Sequence, residues 1–191
     1  SSALRSILRQ DPDVLLIGEI RDEETAGIAV KFSLTGHLVF STVHANDAIN
    51  TITRLLDIGI PPFLLGSCVN LIVAQRLIRT ICKNCKEEYT PSKTELDMIR
   101  FPKDKLSSTK FYQGKGCSKC RYTGYKGRTA IDEILEVKQN IRNLIFDNSN
   151  EEKIKAEALS NGMTPLRNAG LDKIVEGVTT IQEVIRSTVQ E

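Results

Sequence analysis

The chain has 191 residues, and its 26 basic and 24 acidic side chains leave a formal net charge of only +2. A balance this close to neutral, in a chain without Trp, gives little support for binding to nucleic acid, which uses basic surfaces and aromatic stacking platforms. No apolar run approaches the roughly 20 residues that a membrane-spanning helix needs. The apolar fraction of 40% is ordinary for a globular protein with a hydrophobic core.

The first nine residues predict an amphipathic helix, Ser1 to Arg9, with Leu4, Ile7 and Leu8 on one face. This helix is expected to be already under way at the first residue, which is Ser rather than Met, and these residues do not have the pattern of a signal peptide. We therefore interpret the chain as a fragment whose upstream part is missing.

Two short apolar runs, Val14 to Ile17 and Leu38 to Thr42, predict the first two β-strands. The first run is continuous, which favours a strand buried on both faces, as in a parallel sheet. A helical segment follows each strand, and Asp22 and Asp47 are suited to cap these helices. This alternation predicts an α/β core with a mostly parallel sheet.

The alternation of strands and helices ends at Pro61-Pro62. A long apolar helix is predicted from about Phe63 to Thr80, and a polar excursion with a short helix, Thr94 to Arg100, comes next. A strand is predicted from Thr129 to Val137.

From Val137 onward the pattern is helical, which predicts a small helical subdomain. Pro165 is suited to a first helical position, and Thr180 with Glu183 predicts a capping box. The candidate N-caps are Asn150, Thr164 and Thr180.

Glu19 follows the first predicted strand directly. In open α/β sheets the carboxyl ends of the strands are where ligands bind. A carboxylate there can hold Mg²⁺ through water, or orient a water that attacks a phosphoryl group. The alternative is an exposed acidic residue between a core strand and a capped helix.

The two histidines, His37 and His44, bracket the second strand. Their separation is roughly 20 Å in an extended chain at ~3.3 Å per residue. We therefore expect His44 and Thr42 near the same sheet edge as Glu19, and His37 at the opposite edge. There His44 is placed to donate to the terminal phosphate of a bound nucleotide.

Four of the five cysteines form two C-x-x-C pairs, Cys82 with Cys85 and Cys117 with Cys120. Two such pairs predict a closed tetrahedral site of four thiolates, the usual arrangement of structural Zn²⁺. Redox cysteines or disulfides are the alternative, which the cytoplasmic setting expected for this chain disfavours. Cys68 stands alone in an apolar stretch and is expected to pack as a small apolar residue.

The combination and order of several motifs resembles the ATPases of type II secretion and type IV pilus assembly. The matching segments are Arg9 to Asp13, Gly18 to Asp22, Thr35 to Val39, Ser41 to Asp47, Ala74 to Leu77, the cysteine pairs, Gly127-Arg128 and Gly162 to Arg167. The resemblance covers essentially the whole chain. It implies a Walker B box around Glu19 and a His box that includes His37 and His44.

The resemblance also implies the fold and the cofactors. The expected fold is α/β: the C-terminal portion of a RecA-like P-loop ATPase core, with a tetracysteine zinc-binding excursion and a C-terminal helical subdomain. ATP and Mg²⁺ are the implied cofactors of the intact protein. Glu19 and His44 are the implied catalytic residues, and Thr42, His37 and Arg76 are expected to contribute to nucleotide binding.

The phosphate-binding G-x-x-x-x-G-K-[ST] loop does not occur in this sequence. We therefore expect this segment not to hydrolyse ATP alone. The intact protein is expected to be a homo-hexamer at the inner face of the cell membrane, bound to an inner-membrane platform protein. The four cysteines favour an assembly or secretion motor over a pilus-retraction motor.

Three domains are expected from the motifs. Residues 1–80 are assigned to the ATPase core, residues 81–121 to the zinc module, and residues 122–191 to a strand with the helical subdomain. A non-enzymatic zinc-ribbon binding module is the alternative function. It is disfavoured because such a module needs neither Glu19 on a buried strand nor the box from Thr42 to Asp47.

Overall fold

The computed structural model describes residue 10 and residues 12–188. The helix predicted for residues 1–9 lies outside these residues. The chain divides into two compact units, Ser1–Val73 with Ile134–Met163 and Ala74–Glu133 with Thr164–Glu191. The three expected domains stay a prediction. Within the described residues, no helix has the length and apolar composition to cross a membrane.

The first unit opens with the predicted strand–helix alternation. Its first elements are β1 (Val14–Ile17), α1 (Glu23–Leu34), β2 (Leu38–Ser41) and α2 (Ala48–Asp57). The two strands pair in parallel. The predicted caps are confirmed, since the Asp22 and Asp47 carboxylates accept hydrogen bonds from the first turns of α1 and α2.

Burial on both faces was predicted for β1, and the structure corrects this. Leu15 and Ile17 are buried, but the alternate side chains of β1 and their partners on β2 are exposed. The exposed fractions are 55% for Val14, 75% for Leu16, 51% for Leu38 and 53% for Phe40. Only one face of this strand pair is covered by the described residues.

The long helix predicted from Phe63 to Thr80 is wrong. A short helix, α3 (Pro62–Cys68), ends at Val69, and the strand β3 (Leu71–Ile81) follows. Strand β3 pairs with β6 (Tyr125–Glu136), which lies far away in the sequence. The apolar side chains of β3 are compatible with either helix or strand, so the distant partner decides the outcome.

Two further helices complete the first unit, α6 (Gln139–Phe146) and α7 (Glu151–Ser160). Arg142 on α6 donates hydrogen bonds to the Gly66 carbonyl and, at 2.7 Å, to Asn70 Oδ1. The N-cap predicted at Asn150 is confirmed, because its side chain accepts from the Lys153 backbone N–H.

The second unit contains an antiparallel pair, β4 (Lys86–Tyr89) and β5 (Phe111–Gly114). Two helices lie between them in the sequence, α4 (Lys93–Ile99) and α5 (Lys103–Leu106). Helix α4 confirms the short helix predicted in the polar excursion. The main apolar cluster of this unit joins this excursion to the C-terminal helices through Ile99, Phe101, Phe111, Leu171, Ile174, Ile181 and Val184.

The C-terminal helices are α8 (Leu166–Val175) and α9 (Ile181–Ser187). Pro165 is the N-cap of α8, so its predicted place inside the helix and the predicted cap at Thr164 are each one residue early. Thr180 caps α9 as predicted. The Glu183 carboxylate, however, accepts hydrogen bonds from two arginines.

Glu183 is fully buried and forms an ionic cluster with Arg79 and Arg186. Its Oε2 atom accepts from Arg79 Nη2 at 2.7 Å, and its Oε1 atom accepts from Arg186 Nη2 at 2.7 Å. Burial raises the pKa of this carboxyl, but the hydrogen bonds from Arg186 and Arg79 outweigh burial and hold the pKa at about 2. The cluster therefore joins α9 to β3 through a buried charge.

Candidate functional site

Hydrogen bonds join the carboxyl ends of β1 and β2 beside Glu19. The Thr42 hydroxyl donates to the Gly18 carbonyl at 2.6 Å, and the Ile20 backbone N–H donates to the Thr42 carbonyl at 2.9 Å. Parallel pairing brings the two strand ends to the same edge, and these bonds extend the pairing past the last strand residues. Glu19 is thereby held directly beside the chain that follows β2.

His44 comes from that neighbouring chain and meets Glu19. Its Nε2 atom lies 2.9 Å from Glu19 Oε1, and the contact is an ion pair when the imidazole is protonated. The Glu19 side chain is only 20% exposed, whereas that of His44 is 87% exposed. Glu19 Oε1 is itself buried, and among the described residues no hydrogen-bond donor is assigned to it.

Arg21 is a third member of this group, which reasoning from the sequence did not single out. Its Nε atom donates to Glu19 Oε2 at 2.5 Å, and its side chain is largely exposed. Its position two residues after Glu19 was the available signal. The two oxygens of Glu19 thus face two different groups, and the side chains of both Arg21 and His44 are largely exposed.

His37 lies at the beginning of β2. Its ring stacks on Phe32 with centroids 4.0 Å apart, and its Nδ1 atom is 2.9 Å from the Thr35 hydroxyl. The structure therefore brings Thr42 and His44 to Glu19, and leaves His37 at the far end of the strand. Arg76 lies on β3, in the second unit, and is half-buried.

The four cysteine sulfurs of the two C-x-x-C pairs converge in the second unit, with all four Sγ atoms within 4.8 Å of one another. The distances are 3.9 Å for Cys82–Cys117, 3.8 Å for Cys85–Cys120 and 3.7 Å for Cys117–Cys120. A tetrahedral Zn²⁺ with Zn–S bonds of about 2.3 Å requires sulfurs roughly 3.8 Å apart. Disulfides require about 2.05 Å, so this arrangement fits a metal and not disulfides.

Backbone geometry holds the cysteines in place. Cys82 is buried at the end of β3, where its N–H donates to the Gly124 carbonyl at 2.9 Å. In the second pair, Cys117 is the N-cap of a 3₁₀ turn, Ser118–Cys120, that contains Cys120, and Arg121 and Tyr122 follow it in the left-handed region. Non-glycine residues adopt this conformation at a cost, and such strain is concentrated at functional sites.

The ionisation of these thiols also favours a cation. Burial raises the pKa of Cys85 to about 12. For Cys120 burial acts in the same direction, but hydrogen bonds from the backbone N–H groups of Cys117 and Gly124 outweigh it and lower the pKa to about 6. Four sulfurs this close cannot all ionise without a positive charge among them, and a divalent metal supplies that charge.

The chain is similar to known proteins of type II secretion and type IV pilus assembly. A protein from Pseudomonas aeruginosa described as type II secretion system protein E is 47% identical over 188 residues, which are 98% of this chain and 37% of that protein. The type IV pilus assembly ATPase PilB of the same organism is 46% identical over 98% of this chain and 33% of its own length. The chain therefore spans about a third of the length of these relatives.

A solved structure supports the fold. The pilus retraction motor PilT with bound ADP superposes with a TM-score of 0.68 at 27% identity, over 99% of this chain and 43% of that chain. The predicted fold class, an α/β portion of a RecA-like secretion ATPase, is thereby confirmed. Residues 1–186 match the family described as Type II/IV secretion system protein, and the chain belongs to that family.

Proposed function

We propose that this chain is the segment of an ATP-hydrolysing motor that carries the catalytic carboxylate, Glu19. The motor would power type IV pilus assembly or type II secretion. The observation that carries this proposal is the contact between Glu19 and His44 at the joined ends of two parallel strands. Relatives that are 46–47% identical are named for pilus assembly and for type II secretion.

In this proposal the two residues divide the work. Glu19 orients the attacking water, or it accepts hydrogen bonds from the water molecules bound to Mg²⁺. Its buried Oε1 atom has no hydrogen-bond partner among the described residues and can accept such a bond. His44 is exposed and donates to the γ-phosphate. Thr42 keeps the strand ends together, and His37 and Arg76 act on the nucleotide through a less direct route or from a neighbouring subunit.

Hydrolysis then proceeds by in-line attack of water on the γ-phosphate, and ATP and Mg²⁺ complete the site in the intact protein. We propose a homo-hexamer, with domain motions that act on an inner-membrane platform protein. The motor is placed in the cytoplasm, peripheral to the inner face of the cell membrane, which it contacts only through protein partners.

We further propose that Cys82, Cys85, Cys117 and Cys120 hold one structural Zn²⁺. The sulfur separations and the closed set of four ligands support this, and leave no open coordination position for catalysis. Metal analysis of protein purified without chelator should find one equivalent of zinc. Protein with four intact thiols and no zinc would refute the assignment.

The decisive experiment compares this segment alone with the intact protein. This segment should show no appreciable ATPase activity, because its sequence contains no phosphate-binding loop. The intact protein should hydrolyse ATP, and Glu19→Gln should abolish most of that activity. Strong turnover by the segment alone that depends on Glu19 would show that the active site is completed differently.

The alternative function is a non-enzymatic zinc-ribbon binding module. One observation favours it: residues 82–128 contain twelve Lys and Arg against five Asp and Glu. It gives no role to the Glu19–His44 contact in the other unit, so we place it second. An intact protein that hydrolyses no ATP would reverse this order.

A further inference from the structure

A cavity of about 790 Å³ lies in the second unit, beside the tetracysteine cluster. Four lysines belong to its lining: Lys83, Lys86, Lys119 and Lys126. Ile81 and Gly177 are also part of the lining and are buried. Cavities of roughly 300–1,000 Å³ with a few convergent polar groups are typical of small-molecule sites.

Lys86 is fixed in the wall of this cavity. Its Nζ atom donates to the Gly177 carbonyl at 2.7 Å and lies 3.9 Å from the centre of the Tyr112 ring. Gly177 has a φ of +66°, and a Cβ atom there would come within 2.9 Å of Lys86 Nζ and of the Tyr112 ring. Glycine at this position therefore allows the ammonium group to reach the backbone.

The other charges leave the cavity positive. Among the described residues of its lining the one carboxylate is Glu176, which is held by Lys173, whose Nζ atom lies 2.7 and 3.0 Å from the two oxygens. Lys83, Lys119 and Lys126 are exposed, and none of the ion pairs within residues 12–188 involves them. These three lysines therefore have no carboxylate partner among the described residues.

We infer that this cavity is a binding site for a small, soluble, phosphate-bearing anion. Lysine acts as a point charge that suits phosphate, and Val178, which belongs to the lining and is only partly buried, offers apolar surface for the organic part of such a ligand. Because the lysines surround a recess, a molecule that enters it reaches several charges at once.

The alternative explanation is that the lysines only offset the negative charge of four zinc-bound thiolates. The two explanations differ in what the metal-loaded protein does. Charge compensation alone produces no saturable anion site, whereas a binding site does. The site would be separate from Glu19 and His44, so its test does not depend on the proposed ATPase function.

The experiment is calorimetric titration of the zinc-loaded chain with sodium tripolyphosphate at moderate salt. Saturable binding of one anion per chain is expected. A variant with Lys83, Lys119 and Lys126 all changed to Gln should bind at least about tenfold more weakly. The matched control changes Lys93, Lys103 and Lys105 to Gln, which removes the same charge elsewhere in the unit, and should lose less than about threefold.

Three results would overturn the inference: no saturable binding, equal loss in the control variant, or binding only to vesicles that contain anionic lipid. Zinc content is measured for every variant, because Lys83 and Lys119 lie inside the C-x-x-C pairs. If the triple variant loses zinc, Lys126→Gln alone decides the question. This residue lies outside both pairs, and its change should weaken tripolyphosphate binding by about threefold with zinc retained; unchanged affinity would refute the site.

Discussion

Glu19 and His44 lie on chain segments that leave two neighbouring parallel strands, and their side chains meet at 2.9 Å. The Thr42–Gly18 hydrogen bond fixes the two segments next to each other. A substitution that moves one of these two residues will therefore also move the other. This geometry underlies the first two predictions, which concern the intact protein.

Glu19→Gln keeps the shape of the side chain and removes its charge. Turnover of ATP should fall by about 10²-fold or more, while binding of ATP largely survives, because the carboxylate acts mainly in the transition state. Steady-state kinetics and nucleotide titration measure the two effects. Glu152→Gln, an exposed change on α7, is the matched control and should leave both unchanged.

His44→Ala should lower turnover and also reduce the preference for ATP over ADP, because it removes a proposed donor to the γ-phosphate. His37→Ala should have a smaller effect on this preference, since His37 lies at the other end of β2 against Phe32. Affinities for ATP and ADP decide between them. Selective loss of γ-phosphate discrimination in His37→Ala, and not in His44→Ala, would contradict the assignment.

Cys117→Ser should lose bound zinc and loosen the segment between the two cysteine pairs, with β1 and β2 still folded. Metal analysis and amide hydrogen exchange report on the two parts separately. Cys68→Ser is the control, and should retain one equivalent of zinc because Cys68 lies outside the cluster. Loss of protection throughout the chain in Cys117→Ser would show that the cluster organises more than its own segment.

Glu183 should make stability depend on pH. Its folded pKa of about 2 lies below the ordinary value of 4.5, so its contribution is fully present above pH 4.5 and is lost as the pH falls from 4.5 towards 2. The shift corresponds to at most about 3 kcal/mol, and partial exposure of both arginines reduces it.

The measurement is urea unfolding of the wild type and of Glu183→Gln at several pH values. The variant should be less stable at pH 7, and the difference should shrink below pH 4.5. Loss of any bound metal at low pH affects both proteins and cancels in the difference. A difference that stays constant down to pH 3 would show that the carboxylate charge contributes nothing.

Two glycine-to-alanine changes should have opposite effects on the free energy of unfolding. At Gly114 a Cβ atom would lie 2.1 Å from the backbone oxygen of Gly124, so Gly114→Ala should destabilise by about 2 kcal/mol or more. Gly27 lies inside α1, and no atom of the described residues would lie within 4 Å of a new Cβ, so Gly27→Ala should stabilise by up to about 1 kcal/mol. Destabilisation by Gly27→Ala would contradict this account of the helix.

The parts of the fold that follow from local chemistry were predictable. Asp22 and Asp47 cap helices because each carboxylate accepts from a backbone N–H only three residues later. Such a contact needs no distant partner. The cysteine cluster and the approach of His44 to Glu19 follow from spacing and from the common edge of parallel strands. These predictions need only the spacing within each C-x-x-C pair and the parallel order of the two strands.

The failures depend on partners that are distant in the sequence. Strand β3 was predicted as helix because its apolar residues do not reveal that β6 pairs with it. Thr180 and Glu183 have the spacing of a capping box, yet the Glu183 carboxylate accepts from Arg79, 104 residues away, and from Arg186. A buried carboxylate with two possible partners pairs with the one that offsets the free-energy cost of burying its charge.

The two C-x-x-C turns bring the beginning and the end of one segment to the same point. Residues 86–116 leave from that point and return to it, so their length is not fixed by the strands on either side. Insertions and deletions can accumulate in the exposed residues 103–108 of this segment during evolution while β3 and β6 keep their pairing. Relatives can therefore diverge here in size and surface chemistry, and acquire new contacts, without any change in the part of the chain that carries Glu19.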